Sequence, residues 1–157
     1  MEKKFSPVYI PVGVPTFHLE SAHKEFEKSI SMLKDLSSNV VVPDKMLLKI
    51  EDLVEYLDSV EPDLIILQNI TFANAAYAYE VLKRFDAPLV LWTLREPVID
   101  GTRLRLNSLT GAYSAGNAIK EIREDFEYVF GAPDEEDVIS TISAYIRAAE
   151  VKHSLKN

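Results

Sequence analysis

The sequence predicts a three-layer α/β fold, in which an open and mostly parallel sheet of four or five strands carries helices on both faces. Short apolar runs alternate along the chain with longer segments in which apolar residues recur every three or four positions. The runs at 64–67 and 89–92 are apolar without interruption, which is typical of strands that are covered on both faces. Strands that alternate with helices favour parallel pairing, because each helix carries the chain back across the sheet.

Each element follows from a local pattern. The predicted strands are residues 8–14, 39–42, 64–67, 89–92 and 128–131. The predicted helices are residues 19–36, 45–60 and 73–85, a segment over 109–122 in which a loop enters a helix, and a last helix that begins at the acidic residues 134–137. Pro11 lies inside the first strand and has no N–H, so we expect it at a bulge or on an unpaired side. The whole pattern is flavodoxin-like.

Length and composition limit the possible functions. With 157 residues, the chain is expected to form a single α/β domain over residues 1–157. Its net charge of −8 argues against nucleic-acid binding, which needs a basic face, and gives no support for binding to an anionic membrane. The chain has no cysteine, which excludes a disulfide framework and a thiol nucleophile and fits a cytoplasmic location. No segment approaches the roughly 20 apolar residues of a membrane-spanning helix.

No sequence motif identifies an enzyme class. The five glycines do not form a dinucleotide fingerprint or a P-loop, and no nucleophile elbow is present. His18 and His23 are five positions apart, so they lie on different faces of the predicted helix and do not form a metal-binding pair. We therefore assign no catalytic residue and no metal ligand in this chain.

Polar and aromatic residues that follow the strands are the candidates for ligand binding, since ligands bind beyond the carboxyl ends of parallel strands. Arg95 and Glu96 follow the strand at 89–92 and could form a polar clamp, or alternatively a surface ion pair or a capping arrangement. Phe72 could stack on a ligand or belong to the core, and His18 could contact a ligand or bond to the backbone. Arg103 and Arg105 alternate with leucines, which indicates a solvated face.

One stretch of the sequence resembles a known family. It contains Trp92-Thr-Leu-Arg-Glu-Pro97, followed by Gly101 and by Asn107-Ser-Leu-Thr-Gly111. Together with the first strand and its Gly13, this stretch resembles the N-terminal domain of the L-fucose isomerase-like sugar isomerases, a group related to L-arabinose isomerase. The resemblance covers roughly residues 8–150.

The resemblance implies that the chain is one domain of a larger, cytoplasmic, oligomeric aldose–ketose isomerase of carbohydrate metabolism. Members have three domains, and a divalent metal, usually manganese, is held by a Glu, an Asp and a His in the later domains. The chain would then be an N-terminal substrate-covering and assembly domain that needs no cofactor of its own and is inactive alone. Its partners would be the remaining domains, neighbouring subunits and a sugar, with no nucleic acid and no membrane.

The resemblance also implies substrate contacts from the loops after the first and third strands. The residues at those positions here are Thr16, Phe17 and His18, and Gln68, Asn69 and Phe72. Relatives often have arginine or glutamine in the first loop and tryptophan in the second, and this chain has neither, so the sugar is not predicted. Two alternatives remain open, namely a freestanding flavodoxin-like module that binds a small carbohydrate and a protein-assembly module without a ligand.

Overall fold

The computed structural model describes residues 3–157. Its strands are β1 (Pro7–Val12), β2 (Leu64–Asn69), β3 (Leu89–Thr93) and β4 (Glu127–Phe130). Its helices are α1 (Leu19–Leu36), α2 (Ile50–Asp58), α3 (Ala75–Leu82), α4 (Ser108–Ile122) and α5 (Glu136–Lys156). The strands form a parallel sheet in the order β1-β2-β3-β4, which confirms the predicted α/β fold class.

Two apolar layers cover the sheet because alternate side chains of each strand point to opposite faces. On one face, Ile10, Leu67 and Leu91 belong to a core that includes α2, α3 and α4. On the other face, Tyr9 and Trp92 belong to a core that includes α1 and α5. The helices therefore form the two outer layers of a three-layer fold.

The predicted second strand is not formed as a continuous strand. Residues 39–47, which we call the edge segment, make only two isolated parallel bridges with β1, at Val41 and Leu47. Tyr9 N–H donates to the Val41 carbonyl at 2.9 Å, and Gly13 N–H donates to the Leu47 carbonyl at 3.1 Å. Pro11 lies between these two donors on the same side of β1 and has no N–H to offer. The expectation that Pro11 occupies an unpaired position is thus confirmed, and the bridges are interrupted there.

The Tyr56 side chain of α2 supplies a hydrogen-bond donor that the interrupted edge lacks. A continuous strand would place an N–H opposite the Tyr9 carbonyl. The residue of the edge segment at that position is Pro43, which has no N–H to donate. The Tyr56 hydroxyl instead donates to the Tyr9 carbonyl at 2.9 Å and lies 3.3 Å from the Val41 carbonyl oxygen. Burial raises the pKa of Tyr56 above its usual value, so the hydroxyl keeps its proton and remains a donor.

The edge segment also determines where the chain changes face. The helix α1 packs on one face of the sheet, the chain crosses at the edge segment, and α2 packs on the other face. As a result, β1 leads to α1 on one face and β2 leads to α3 on the opposite face. Two neighbouring strands whose connections diverge in this way leave a crevice at their carboxyl ends, which is the common ligand position in open α/β sheets.

Local signals agree with most of the observed helix ends. The His18 side chain accepts from the Ser21 N–H at the start of α1, and the Asn74 side chain accepts from the Ala76 N–H at the start of α3. The prediction for α2 began five residues too early, because residues 45–49 run along the edge of the sheet. Within residues 3–157, no helix combines the length and apolar character needed to cross a membrane.

Replacing Tyr56 with phenylalanine is expected to destabilise the protein. The Tyr56→Phe change removes the donor to the Tyr9 carbonyl and leaves that carbonyl unsatisfied, which costs about 1–3 kcal/mol of unfolding free energy. Chemical denaturation measures the change. Tyr113→Phe is the matched control, because Tyr113 is 69% exposed. Equal stability of the two variants would show that Tyr56 does not support the edge.

Candidate ligand-binding site

Three loops meet at the carboxyl edge of the sheet. Loop 1 (residues 13–18) follows β1, loop 2 (residues 70–74) follows β2, and loop 3 (residues 94–107) follows β3. Because β1, β2 and β3 are neighbours and run in the same direction, the three loops begin side by side. The candidate site lies on this rim.

Loops 1 and 2 are held in close contact. The Thr71 hydroxyl oxygen accepts from the Val14 N–H at 2.9 Å, and the Ile70 N–H donates to the Val12 carbonyl at 2.8 Å. A Cβ at Gly13 would lie only 2.5 Å from the Thr71 hydroxyl oxygen. Glycine is therefore needed at position 13, since any side chain would separate the two loops.

Loop 3 is closed by its own polar residues. The Glu96 carboxylate accepts from the backbone N–H groups of Leu106 at 3.0 Å and Asn107 at 2.7 Å. The Ser108 hydroxyl accepts from the Leu94 N–H at 2.9 Å and donates to the Asn69 carbonyl at 2.5 Å. These contacts join the two ends of loop 3 to each other and to β2. The capping arrangement considered for Glu96 is therefore the one found in the structure.

Backbone hydrogen bonds join loop 3 to both other loops. The His18 N–H donates to the Arg105 carbonyl at 2.9 Å, and the Phe72 N–H donates to the Leu106 carbonyl at 2.8 Å. Loops 1, 2 and 3 therefore form one hydrogen-bonded unit rather than three independent segments.

An open cavity of about 240 Å³ lies between loops 1 and 3. Its lining residues are Thr16, Phe17, His18, Arg103, Leu104 and Arg105. The Arg103 guanidinium carbon lies 4.6 Å from the centroid of the Phe17 ring, and Phe17 packs against Phe72 with ring centroids 6.3 Å apart. Thr16, His18 and Phe72, all expected near a ligand, are thus brought together at one place.

Arginines 103 and 105 differ in their surroundings. Arg105 forms an ion pair with the Asp100 carboxylate at 3.0 Å and also donates to the Thr102 hydroxyl. Hydrogen bonds from Thr102, together with the charge of Arg105, lower the pKa of Asp100. Arg103 forms no ion pair with the residues from 3 to 157. Its positive charge is therefore not compensated by a contacting carboxylate.

Gln68 and Asn69 belong to β2, which corrects their assignment to the loop that follows the strand. Gln68 is 0% exposed; the Tyr9 hydroxyl donates to its side-chain oxygen, and its amide nitrogen donates to the Ser29 hydroxyl at 3.0 Å. Asn69 is 1% exposed and lies beneath the first turn of α4, where a Cβ at Gly111 would come within 2.7 Å of its amide nitrogen. Neither side chain is accessible to a ligand in this structure.

Arg95 and Glu96, the two residues considered for a polar clamp on a ligand, contact different partners within the protein. The Arg95 guanidinium donates to both oxygens of Glu135, at 3.0 and 2.9 Å, and lies 4.7 Å from the centroid of the Phe130 ring. The ion pair considered for Arg95 is therefore present, but its partner lies just before α5. Arg95 connects loop 3 to that region on the side away from the cavity.

The sequence pattern did not single out Arg103 as a ligand contact. Its alternation with leucines indicates a solvated face, and the residue is exposed. Arg103 is distinguished by its position over Phe17. Because Phe17 is distant in the sequence, no local sequence pattern could predict this contact.

The described residues offer no metal site. Within residues 3–157, no group of three or more histidine, aspartate or glutamate side chains is arranged to hold a metal ion. The ligands of the divalent metal that the family resemblance implies were expected in the later domains, and the described residues offer no set of their own for it.

Loss of the Glu96 carboxylate is expected to loosen loop 3. In Glu96→Gln, one of the two carboxylate oxygens is replaced by an NH2 group, which cannot accept a hydrogen bond. The side chain can then no longer accept from the Leu106 and Asn107 N–H groups with two oxygens. Amide hydrogen exchange at Leu106 and Asn107 should become about tenfold faster or more. Glu124→Gln, at an exposed glutamate outside these contacts, is the control. Unchanged exchange at both amides in Glu96→Gln would contradict the role assigned to Glu96.

Removal of Arg95 is expected to raise the pKa of Glu135. Hydrogen bonds from Arg95, with a smaller contribution from the Ala132 N–H, hold this pKa below its usual value. A lowered folded-state pKa stabilises the protein above the unfolded-state pKa, and this stabilisation is lost as the pH falls through the folded-state pKa. Arg95→Ala should therefore reduce the acid dependence of stability. NMR titration of Glu135 measures the shift, and Arg147→Ala should leave it unchanged.

Comparison with known proteins gives relatives but no matching family model. The chain is 61% identical over 153 residues to the sulfoquinovose isomerase of Clostridium sp. (strain MSTE9), a match that covers 97% of this chain and 34% of that protein. It is 35% identical over 151 residues to the sulfoquinovose isomerase of Priestia megaterium (strain ATCC 12872 / QMB1551), covering 94% of this chain and 34% of the relative. Among solved structures, the chain is similar to an azoreductase from Bacillus anthracis str. Sterne, with 14% identity and a TM-score of 0.38 over 94% of this chain and 99% of the azoreductase chain.

The chain is shorter than the relatives that it matches. The chain spans about a third of the length of the curated relatives it matches. Those relatives are sugar isomerases by name, which confirms the sequence-based resemblance in its coarser form. Nearly the whole chain is therefore similar to one part of the proteins named sulfoquinovose isomerase.

Proposed function

We propose that the chain is the N-terminal substrate-covering and assembly domain of an L-fucose isomerase-like aldose–ketose isomerase that acts on sulfoquinovose. The observation that carries this proposal is the 61% identity over 153 residues to a sulfoquinovose isomerase of which the chain spans 34%. In this proposal, the remaining two thirds of the protein supply the divalent metal, manganese in the resembling family, and the groups that move protons.

The rim of the sheet supports a covering role. Loops 1, 2 and 3 are joined by backbone hydrogen bonds, so they can present side chains in a fixed arrangement. Thr16 and His18 offer polar atoms, and the half-buried Phe17 and Phe72 offer apolar ring surface. A sugar needs this combination, because its hydroxyl groups require hydrogen bonds while its C–H faces pack on apolar surface. These residues would bind and orient the substrate and exclude water from it.

Exposed apolar side chains at the β4 edge support an assembly role. Leu109 and Tyr113 of α4 and Tyr128 of β4 are exposed, and they surround an open cavity of about 430 Å³ that is also lined by Leu91 and Phe126. The strand β4 is at the edge of the sheet and leaves one side of its backbone unpaired in the described part of the chain. In the proposal, the remaining domains or a neighbouring subunit cover this surface.

A chimera tests the proposed function. The matching third of the Clostridium relative is replaced by this chain, and conversion of sulfoquinovose is measured in the presence of manganese. We expect the chimera to retain activity, and we expect both the isolated chain and the relative without this third to show no conversion. Turnover by the isolated chain, or full activity of the shortened relative, would contradict the proposal. Sugar binding by the isolated chain together with an inactive chimera would favour a freestanding binding module.

A further inference from the structure

We infer that the cavity between loops 1 and 3 binds the sulfonate group of an anionic sugar, with Arg103 as its charged contact. This inference deepens the proposed function and rests on it for the identity of the sugar. Sulfoquinovose is a glucose analogue that carries a sulfonate at carbon 6. A sulfonate has one negative charge and three oxygens that only accept hydrogen bonds, so its site needs donors and a compensating positive charge.

The cavity has the required charge in a protein of opposite net charge. The chain has 25 acidic and 17 basic residues, yet the six lining residues include two arginines and a histidine and no carboxylate. Four other surface cavities each have at least one carboxylate in their lining. These carboxylates are Glu124 in the first, Asp35 and Asp134 in the second, Asp58 and Glu61 in the third, and Asp63 and Asp86 in the fourth.

Arg103 is positioned to bind an anion. Its guanidinium carbon lies 4.6 Å from the centroid of the Phe17 ring, and its N–H groups donate no hydrogen bond within the described residues. Phe17 is supported in turn by Phe72. Because the contact with the aromatic ring restrains the guanidinium group, less side-chain entropy is lost when an anion binds.

The net charge of the cavity fits a monoanion better than a dianion. The charge of Arg105 is compensated by Asp100 at 3.0 Å, whereas Arg103 forms no ion pair with any residue from 3 to 157. One uncompensated positive charge matches a sulfonate. A phosphate monoester carries nearly two negative charges at neutral pH and would leave one without a partner.

Two further donors complete the site. The Nδ1 atom of His18 accepts from the Ser21 N–H at 3.3 Å and lies 2.7 Å from the Ser21 hydroxyl oxygen, which assigns the acceptor role to Nδ1 and leaves Nε2 as the donor. Nε2 has no hydrogen-bond partner in the described part of the chain and is therefore available as a donor. The exposed Thr16 hydroxyl is a second donor. The cavity also lies at the amino end of α1, where the helix dipole favours negative charge.

The first test is an NMR titration of the 157-residue chain with three sugars. Sulfoquinovose, glucose and glucose 6-phosphate share a ring and differ at carbon 6. We expect saturable amide shifts in loop 1 and at residues 103–105 with sulfoquinovose, weaker shifts with glucose 6-phosphate, and none with glucose at the same concentration. No response to sulfoquinovose, equal responses to sulfoquinovose and glucose, or shifts elsewhere on the chain would overturn the inference. Tighter binding of glucose 6-phosphate would assign the cavity to phosphate and also overturn it.

Variants of Arg103 test the charged contact. Arg103→Ala should weaken sulfoquinovose binding about tenfold or more, because it removes hydrogen bonds to a charged group. The affinity of Arg103→Lys for sulfoquinovose should lie between those of the unaltered chain and Arg103→Ala, since lysine keeps the charge but loses the planar guanidinium group and its contact with the ring. Arg147→Ala, at an exposed arginine on α5, is the matched control and should bind like the unaltered chain. Equal affinity of Arg103→Ala and Arg147→Ala would overturn the inference.

The chimera separates failure of this inference from failure of the proposed function. In an active chimera, Arg103→Ala should raise KM for sulfoquinovose about tenfold or more, with a much smaller change in kcat. An active chimera whose KM does not respond to Arg103→Ala contradicts the sulfonate site and leaves the proposed function intact. An inactive chimera contradicts the proposed function, and the titration of the chain then decides the sulfonate site by itself.

Discussion

The parallel hydrogen-bond ladder that joins β1, β2 and β3 is the interaction on which the rest of the structure depends. All three strands are buried along their whole length and run in the same direction. Their carboxyl ends therefore lie at one edge, separated only by the strand spacing of about 4.8 Å. The hydrogen bonds between loops, such as the one from Phe72 to Leu106, need to span only short distances. The geometry of the candidate site is thus inherited from the sheet.

Buried polar groups impose a second constraint, because a polar group without a partner is costly once water is excluded. Two positions in the sheet break its regular pattern, and a side chain from another element satisfies each. The Tyr9 carbonyl, which lost its ladder donor to a proline, accepts from Tyr56 of α2. The Gln68 amide, which points into an apolar layer, bonds to Tyr9 and to Ser29 of α1. These contacts connect the helices to the sheet at defined points.

The charged groups near the rim divide into those that shape the loops and one that does not. Glu96 closes loop 3, Arg95 connects that loop to Glu135, and Arg105 is paired with Asp100. Each of these charged groups has a hydrogen-bonding partner within the protein. Arg103 instead rests on an aromatic ring and contributes to no such connection in the described residues. Because no carboxylate among the described residues pairs with Arg103, its charge is the one that we propose for contact with a ligand.

The sequence by itself determined the fold class, the bounds of α1 and the positions of β2 and β3. A single apolar stripe predicts α1, and uninterrupted apolar runs predict the two strands. These features depend on interactions within one helix face or one strand, which a local pattern records. Only the tertiary structure decided that the edge segment forms bridges rather than a strand, that Gln68 and Asn69 lie inside β2, and that Arg103 lies on Phe17. Each of these outcomes depends on a partner that is distant in the sequence and is brought close by the crossing of the chain between the two faces of the sheet.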